Sequence, residues 1–428
     1  MKCETIKHAL LGESYQKYTM DNGLTVLVYP MPQKNGVYAL LGAKIGSTTG
    51  DFALDGRAVH VPAGVAHFLE HKMFEGEDGD AFELFAKTGA SANAYTSFDK
   101  TCYLFSSSVN IEESLRTLIR FVGSPHFTEQ TVDKEQGIIG QEIKMYDDNP
   151  EWALAMLSLQ SLYSVSPLKE DIAGTVESIA QITPALLYDC YNAFYRPENM
   201  ALAVAGNIAF EQVKAICDEE YSKIKVPAER VERLANPEPQ AIVTPYVERR
   251  MSVFAPQFCL GYKETPHEPA LRRRRELACR MLLELIAGET SDLYRRLYDE
   301  GLLNDMFDAS PLDARDYLCI TFSGETAEPR RVADMIKQEI ARFKAEGIDE
   351  ARFTECQRAF LGSALCGFDS VESTCTKMLY ALFKDSGLYD IIKEIQDITR
   401  ADVEALLADL FDETRSSLAV ILPLEEQE

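Results

Sequence analysis

Apolar positions along this chain switch repeatedly between strand-like runs and helical spacing. LTVLVYP (24–30) and GVYALLGAKIG (36–46) are short continuous apolar runs behind the turn signal Asp21-Asn22-Gly23, and they predict two paired strands. Residues 61–87 predict helix, with Pro62 near its start, and CYLFSSS (102–108) returns to strand. Apolar residues recur every three or four positions from Ile111 to Val122 and from Thr128 to Tyr146, until Asp147-Asp148-Asn149-Pro150 ends the second helix. Helices are predicted again at about 151–163, 183–194 and 209–223, with the strand MALAVAG (200–206) between the last two. Residues 226–246 hold four prolines and little periodicity, which predicts a linker.

The pattern after the linker repeats the pattern before it. Ile182-Thr183-x-Ala185 returns 216 residues later as Ile398-Thr399-x-Ala401, and Leu202-Ala203-Val204 returns at the same offset as Leu418-Ala419-Val420. A shared offset in the same helix-then-strand context indicates a duplicated domain. Strands and helices mix without strict alternation, so the expected fold class is α+β: two homologous α/β sandwiches, each a mixed, mainly antiparallel sheet packed with helices. The expected division is an N-terminal domain over 1–225, a linker over 226–246 and a C-terminal domain over 247–428.

The composition is that of a globular protein, 46% hydrophobic and 26% charged, in 428 residues. No run approaches the roughly 18 apolar residues of a membrane span, and MKCETIKHALLGESYQ lacks the features of a secretory leader, so a cytoplasmic location is expected. A formal charge of −25 disfavours nucleic acid and anionic membranes as partners and favours cationic ones. The ten cysteines include no Cys-x-x-Cys pair and read as buried thiols. His8, His60, His126 and His267 have no ligand spacing, and Trp152 is expected to pack behind the 147–150 turn.

The strongest chemical signal is His67-Phe68-Leu69-Glu70-His71. At about 100° per residue, all three polar side chains share one helix face. Two imidazoles one turn apart can hold one zinc ion, with a carboxylate beside the open coordination position. That carboxylate can take a proton from zinc-bound water, whose pKa falls to about 7. The order is the inverted form of the common zinc-protease motif. A third ligand is required, and Glu135 and Glu142, seven apart on the 128–146 helix, share a face. Spacing alone leaves open which of them reaches the metal, or whether both form a solvated stripe. Ile138, Ile139, Ile143 and Met145 indicate that this helix packs on something.

His67-x-x-Glu70-His71, followed by GASANAYTSFDKTCYLFS (89–106) and Glu135-x6-Glu142, resembles the pitrilysin/insulinase family of zinc peptidases over the whole chain. The strings GVAHFLEHKMFEG, GIIGQEIKMYDDNP and DIAGTVESI are closest to its half-length bacterial YmfH-like members. The resemblance implies that His67, His71 and Glu142 bind Zn2+, that Glu70 is the general base, and that Glu135 is a supporting acid orienting a ligand. It also implies that Asn93, Ala94 and Tyr95, within Ser91–Thr96, form an edge strand to which a peptide substrate adds.

The implied activity is that of a zinc metalloendopeptidase acting on peptides or unfolded segments, zinc-bound water attacking the scissile carbonyl. At the 216 offset the second half holds Leu283, Ile286 and Ala287, none a metal ligand. The family encloses substrate between four such domains, which implies a homodimer or a heterodimer with a related subunit lacking the zinc motif. Many active relatives carry an Arg, then a Tyr, in the second half near the zinc. In LYRRLYDEGLLND (293–305), Tyr298 stands at that Arg position, no Tyr follows, and Arg295 and Arg296 are expected to face elsewhere. The missing pair favours the heterodimer. The alternative function is a non-peptidase scaffold or maturation subunit using the same fold.

Overall fold

The computed structural model describes residues 2–9, 11–77, 79–226, 230–234, 237–264, 269–314 and 317–425. His267 and parts of the 226–246 segment therefore lie outside the described residues. Four strands open the chain: β1 (Lys2–His8), β2 (Glu13–Thr19), β3 (Thr25–Pro30) and β4 (Val37–Ala43). The short strands β5 (Phe52–Leu54) and β6 (Arg57–Val59) precede helix α1 (Val65–Met73), the two-residue strands β7 (Glu75–Gly76) and β8 (Gly79–Asp80), and α2 (Ala81–Thr88). Strands β9 (Ser91–Thr96) and β10 (Thr101–Ser107) lead to α3 (Ile111–Gly123), α4 (Glu129–Asp147), α5 (Pro150–Leu162), α6 (Val176–Ile179) and α7 (Pro184–Phe194). Then come β11 (Met200–Gly206), α8 (Phe210–Tyr221), β12 (Val231–Arg233), β13 (Tyr246–Met251) and β14 (Gln257–Lys263). The remainder is α9 (Pro269–Ala287), α10 (Asp292–Asp299), β15 (Asp308–Ala314), β16 (Tyr317–Glu325), α11 (Pro329–Glu346), α12 (Glu350–Cys366), α13 (Val371–Phe383), α14 (Asp390–Asp397), α15 (Arg400–Leu410) and β17 (Ser416–Pro423).

Two compact units result, both α+β. The first has a seven-stranded sheet in the order β1-β2-β3-β11-β4-β10-β9, in which β3 and β11 are parallel and the other pairs antiparallel. The second has the order β13-β17-β14-β16-β15, with β13 and β17 parallel and the rest antiparallel. The five strands from β3 to β9 thus recur in the same order and sense, which is the duplication that the 216-residue offset indicated.

The units do not follow the expected division of the chain. The first comprises Met1–Ile143, Asp171–Ala235 and Leu365–Asp390; the second comprises Lys144–Glu170, Asn236–Ala364 and Ile391–Glu428. Helix α13, from the second half of the sequence, therefore packs on β11 and β4 of the first sheet, while α5, from the first half, packs on β14 and β17 of the second. Two glycines make this fit. A Cβ on Gly42 of β4 would lie 2.8 Å from Leu379, and one on Gly261 of β14 would lie 2.8 Å from Leu162. Each central strand gives up its side chain where the exchanged helix crosses it.

Three local expectations change. The strands at 24–30 and 36–46 are not neighbours, because β11 lies between β3 and β4. Strand β11 is buried along its whole length, so it needs a partner on each edge as well as cover on both faces. The helix expected over 61–87 is cut in two by the β7–β8 pair, where Gly79 has φ +115° and Asp80 caps α2 by accepting from the Phe82 amide at 2.7 Å. Within 226–246, β12 pairs with β5, and the Glu238 carboxylate accepts from the Ser164, Val165 and Ser166 amides at 3.0, 2.7 and 2.6 Å. Glu238 also accepts from Lys263 Nζ at 2.6 Å, both side chains being almost fully buried. Among the described residues, no helix is long and apolar enough to cross a membrane.

Candidate metal centre

Helix α1 lacks a side-chain cap; its start is fixed by backbone packing instead. Gly64, the N-cap, has φ +91°, and a Cβ there would come 2.5 Å from the Ala173 carbonyl oxygen. Reciprocally, a Cβ on Gly174, at φ +77°, would meet the Ala63 oxygen at 2.5 Å, and Ser178 Oγ donates to that oxygen at 2.8 Å. The DIAGTVESI string is thus the clamp on the entry to the zinc-motif helix. Phe68 and Leu69 are fully buried and Met73 nearly so, which presents His67, Glu70 and His71 together on the remaining face. The other end of α1 is tied to α4: buried Lys72 pairs with Glu75, and Glu75 also accepts from Lys134 Nζ at 2.6 Å.

On α4, Val132, Glu135, Ile139, Gly140 and Ile143 face inward. Ile138 and Met145, expected to pack, are instead exposed. The inward face carries the two glutamates to different places. Glu142 lies 3.8 Å from His67 Nε2 through Oε1 and 3.6 Å from His71 Nε2 through Oε2. Glu135, 6% exposed, places Oε1 3.0 Å from His71 Nδ1. The ambiguity left by spacing is resolved here: Glu142 faces the two Nε2 atoms, and Glu135 supports one imidazole from behind.

Ligand atoms of His67, His71 and Glu142 lie within 4.8 Å of one another, the one such group of at least three metal-ligating side chains among the described residues. Ligands 2.0–2.2 Å from a tetrahedral ion are about 3.3–3.6 Å apart, so separations of 3.8 and 3.6 Å need little or no contraction to meet zinc. His67 supports the fit differently. Its Nε2 is beyond hydrogen-bond distance of Glu142 and so is not tied up by that carboxylate. Burial, with His71 alongside, pushes the His67 pKa down to about 3, so the ring is neutral and keeps a lone pair for a metal. Burial works in the same direction on His71, but the Glu135 hydrogen bond and the charges of Glu70 and Glu142 outweigh it and raise its pKa.

Glu70 is 7% exposed, and burial drives its pKa up to about 7 against the opposing Thr96 hydrogen bond. Thr96 Oγ1 donates to Glu70 Oε2 at 2.6 Å. In the sequence Thr96 only continues the alternation Ala92, Ala94, Thr96 on one face of β9, which does not single it out. Strand β9 ends the seven-stranded order, with β10 on its other side. Asn93 Oδ1 accepts from the Ala94 amide at 2.8 Å, while Tyr95 OH is 2.8 Å from Tyr380 OH on α13. The Tyr95 hydroxyl is thus engaged inside the unit.

In the second unit, Leu283, Ile286 and Ala287 on α9 are core residues, at most 3% exposed. On α10, Tyr298 is exposed, Arg296 pairs with Glu339, and Arg295 pairs with Asp292 at 3.1 Å.

Family models described as "Insulinase (Peptidase family M16)" and "Peptidase M16 inactive domain" match residues 60–176 and 181–360. The chain is 37% identical to the uncharacterized zinc protease YmfH of Bacillus subtilis over 98% of its own length and 99% of the relative's. A crystal structure of an M16-like peptidase from Alicyclobacillus acidocaldarius superposes with TM-score 0.92 at 32% identity, covering 99% of both chains. A protease from Helicobacter pylori shares the fold, with TM-score 0.83 at 20% identity over 96% of this chain and 99% of that one.

Proposed function

Because this chain belongs to the insulinase family of peptidases, family M16, we propose that it is a zinc-dependent endopeptidase cutting peptides or unfolded polypeptide segments. The observation carrying this reading is the convergence of two Nε2 atoms and the Glu142 carboxylate beside a buried Glu70 carboxylate that makes no ion pair among the described residues. A bound zinc ion would supply Lewis acidity toward the substrate carbonyl and lower the pKa of water.

The chain's own groups would do the rest. His67 offers a neutral imidazole, and Glu135 fixes the ring of His71 and sharpens its basicity. Glu70 would accept a proton from water on Oε1, the oxygen that Thr96 does not occupy, and return it to the leaving amine nitrogen. The edge of β9 would hold the substrate backbone as an added strand. The partner in this reading is a second copy or a related subunit without the motif, completing a four-domain enclosure.

A second reading, a scaffold or maturation subunit of a heterodimer, draws on the apolar metal-equivalent positions of α9 and on Tyr298. Incubating the zinc-loaded chain with a mixed oligopeptide pool separates the two by mass spectrometry. The peptidase reading expects internal cleavage that a chelator abolishes and added zinc restores. A chain carrying one zinc ion that leaves every peptide intact would exclude a peptidase active without its partner subunit.

A further inference from the structure

We infer that Thr96 is a positioning residue: its hydroxyl holds the Glu70 carboxylate in one orientation, with Oε2 bound and Oε1 directed to the reacting water. The inference rests on the peptidase reading above but concerns a residue for which that reading requires no role. Glu70 is nearly buried, and the Thr96 Oγ1–Oε2 contact of 2.6 Å is its one hydrogen bond among the described residues. A glutamate on a helix has three rotatable side-chain bonds, and a donor bound to one carboxylate oxygen narrows the orientations open to it.

Thr96 is itself fixed. Its backbone lies in the β9–β10 ladder opposite Thr101. Thr101 is fully buried, donates to the Ile45 carbonyl at 2.9 Å and sits 3.3 Å from Thr96 Oγ1. With its own proton directed to Ile45, Thr101 does not compete for Glu70, and the Thr96 proton is committed to the carboxylate. On the other face of β9, the Tyr95–Tyr380 hydroxyl contact braces the adjacent residue against α13, and Lys100 Nζ lies 4.5 Å above the Tyr380 ring. The strand proposed to receive substrate therefore carries, one residue beyond Tyr95, the group that orients the base. Alignment of peptide and base is built into one strand rather than two independent elements.

Thr96→Val keeps the β-branched shape and removes the donor; Thr96→Ser keeps the donor. Both are made in the full chain, loaded with zinc, and crystallised alongside the native protein. The inference expects one Glu70 orientation in native and Ser forms, and a displaced or divided carboxylate in the Val form. On any peptide the native chain cleaves, Thr96→Val should lower kcat at least about tenfold, the loss of one charge-assisted hydrogen bond, with KM changed less than about twofold and Thr96→Ser restoring most of the rate. An unmoved Glu70 in Thr96→Val, an undiminished kcat, or a Ser form as impaired as the Val form would overturn the inference. If no form cleaves any peptide while Glu70 is released only in the Val crystals, the positioning role stands and the reading of a peptidase active without a partner subunit fails.

Discussion

Replacing Glu135 by Gln tests how the site prepares its ligands. The carboxylate lies 3.0 Å from His71 Nδ1, is nearly buried, and stands opposite the Nε2 that faces Glu142. Gln retains an acceptor oxygen, so the ring is still oriented, but the negative charge that makes Nε2 a stronger donor is lost. A hydrogen bond to a charged group contributes about 1.5–3 kcal/mol and a neutral one about 1 kcal/mol, leaving a difference of about 0.5–2 kcal/mol. That corresponds to a two- to thirtyfold weaker zinc affinity, the upper part of which overlaps the roughly 10–100-fold range for groups supporting a metal ligand. Glu142→Gln, which neutralises the proposed third ligand, should weaken binding further, and Glu70→Gln should leave it within about threefold. Competition against a chromophoric chelator at neutral pH measures all three. If Glu135→Gln binds zinc as the native chain does, or as poorly as Glu142→Gln, the assignment of Glu135 behind His71 is refuted.

Three further outcomes follow from the fold. Burial opposes ionisation of Glu238, but Lys263 and the three amides outweigh it and bring its pKa down from 4.5 to about 2. Its stabilisation is therefore complete above the unfolded-state pKa, about 3 kcal/mol at neutral pH, about half that at pH 3, and gone below pH 2. Urea unfolding of native and Glu238→Gln chains should show that gap closing across this window; a gap independent of pH would contradict it. Gly174→Ala places a Cβ 2.5 Å from the Ala63 oxygen at a positive φ, and should cost about 2 kcal/mol and lower the melting temperature by several degrees. All ten cysteines are unpaired, with Cys3 and Cys366 exposed, so a thiol reagent should modify two quickly in the native chain and ten in denaturant.

Features set by local period and side-chain chemistry were legible in the sequence. His67, Glu70 and His71 share a face because 3.6 residues per turn puts them there, and the duplication was visible as a repeated helix-then-strand pattern. Features that depend on distant packing were not. Nothing in PEWALAMLSLQSL or VESTCTKMLYALF says which sheet covers it, so the exchange of α5 and α13 escaped a division by chain order. Its trace was Gly42 and Gly261, each inside an otherwise apolar strand. Glu135 and Glu142 looked equivalent by spacing; the lean of α4 against α1, fixed partly through Glu75 and its two lysines, separates their roles. Thr96 was hidden because a threonine in a strand is ordinary until its hydroxyl is seen to meet a buried carboxylate.

The central claim is that Glu70 moves the proton in peptide hydrolysis beside a metal held by His67, His71 and Glu142. The most direct measurement compares native and Glu70→Gln chains, matched for zinc content, on the same oligopeptide pool by mass spectrometry. The account predicts internal cleavage by the native chain and at least a thousandfold slower cleavage by Glu70→Gln, with zinc bound equally by both. Equal cleavage by the two chains would contradict it.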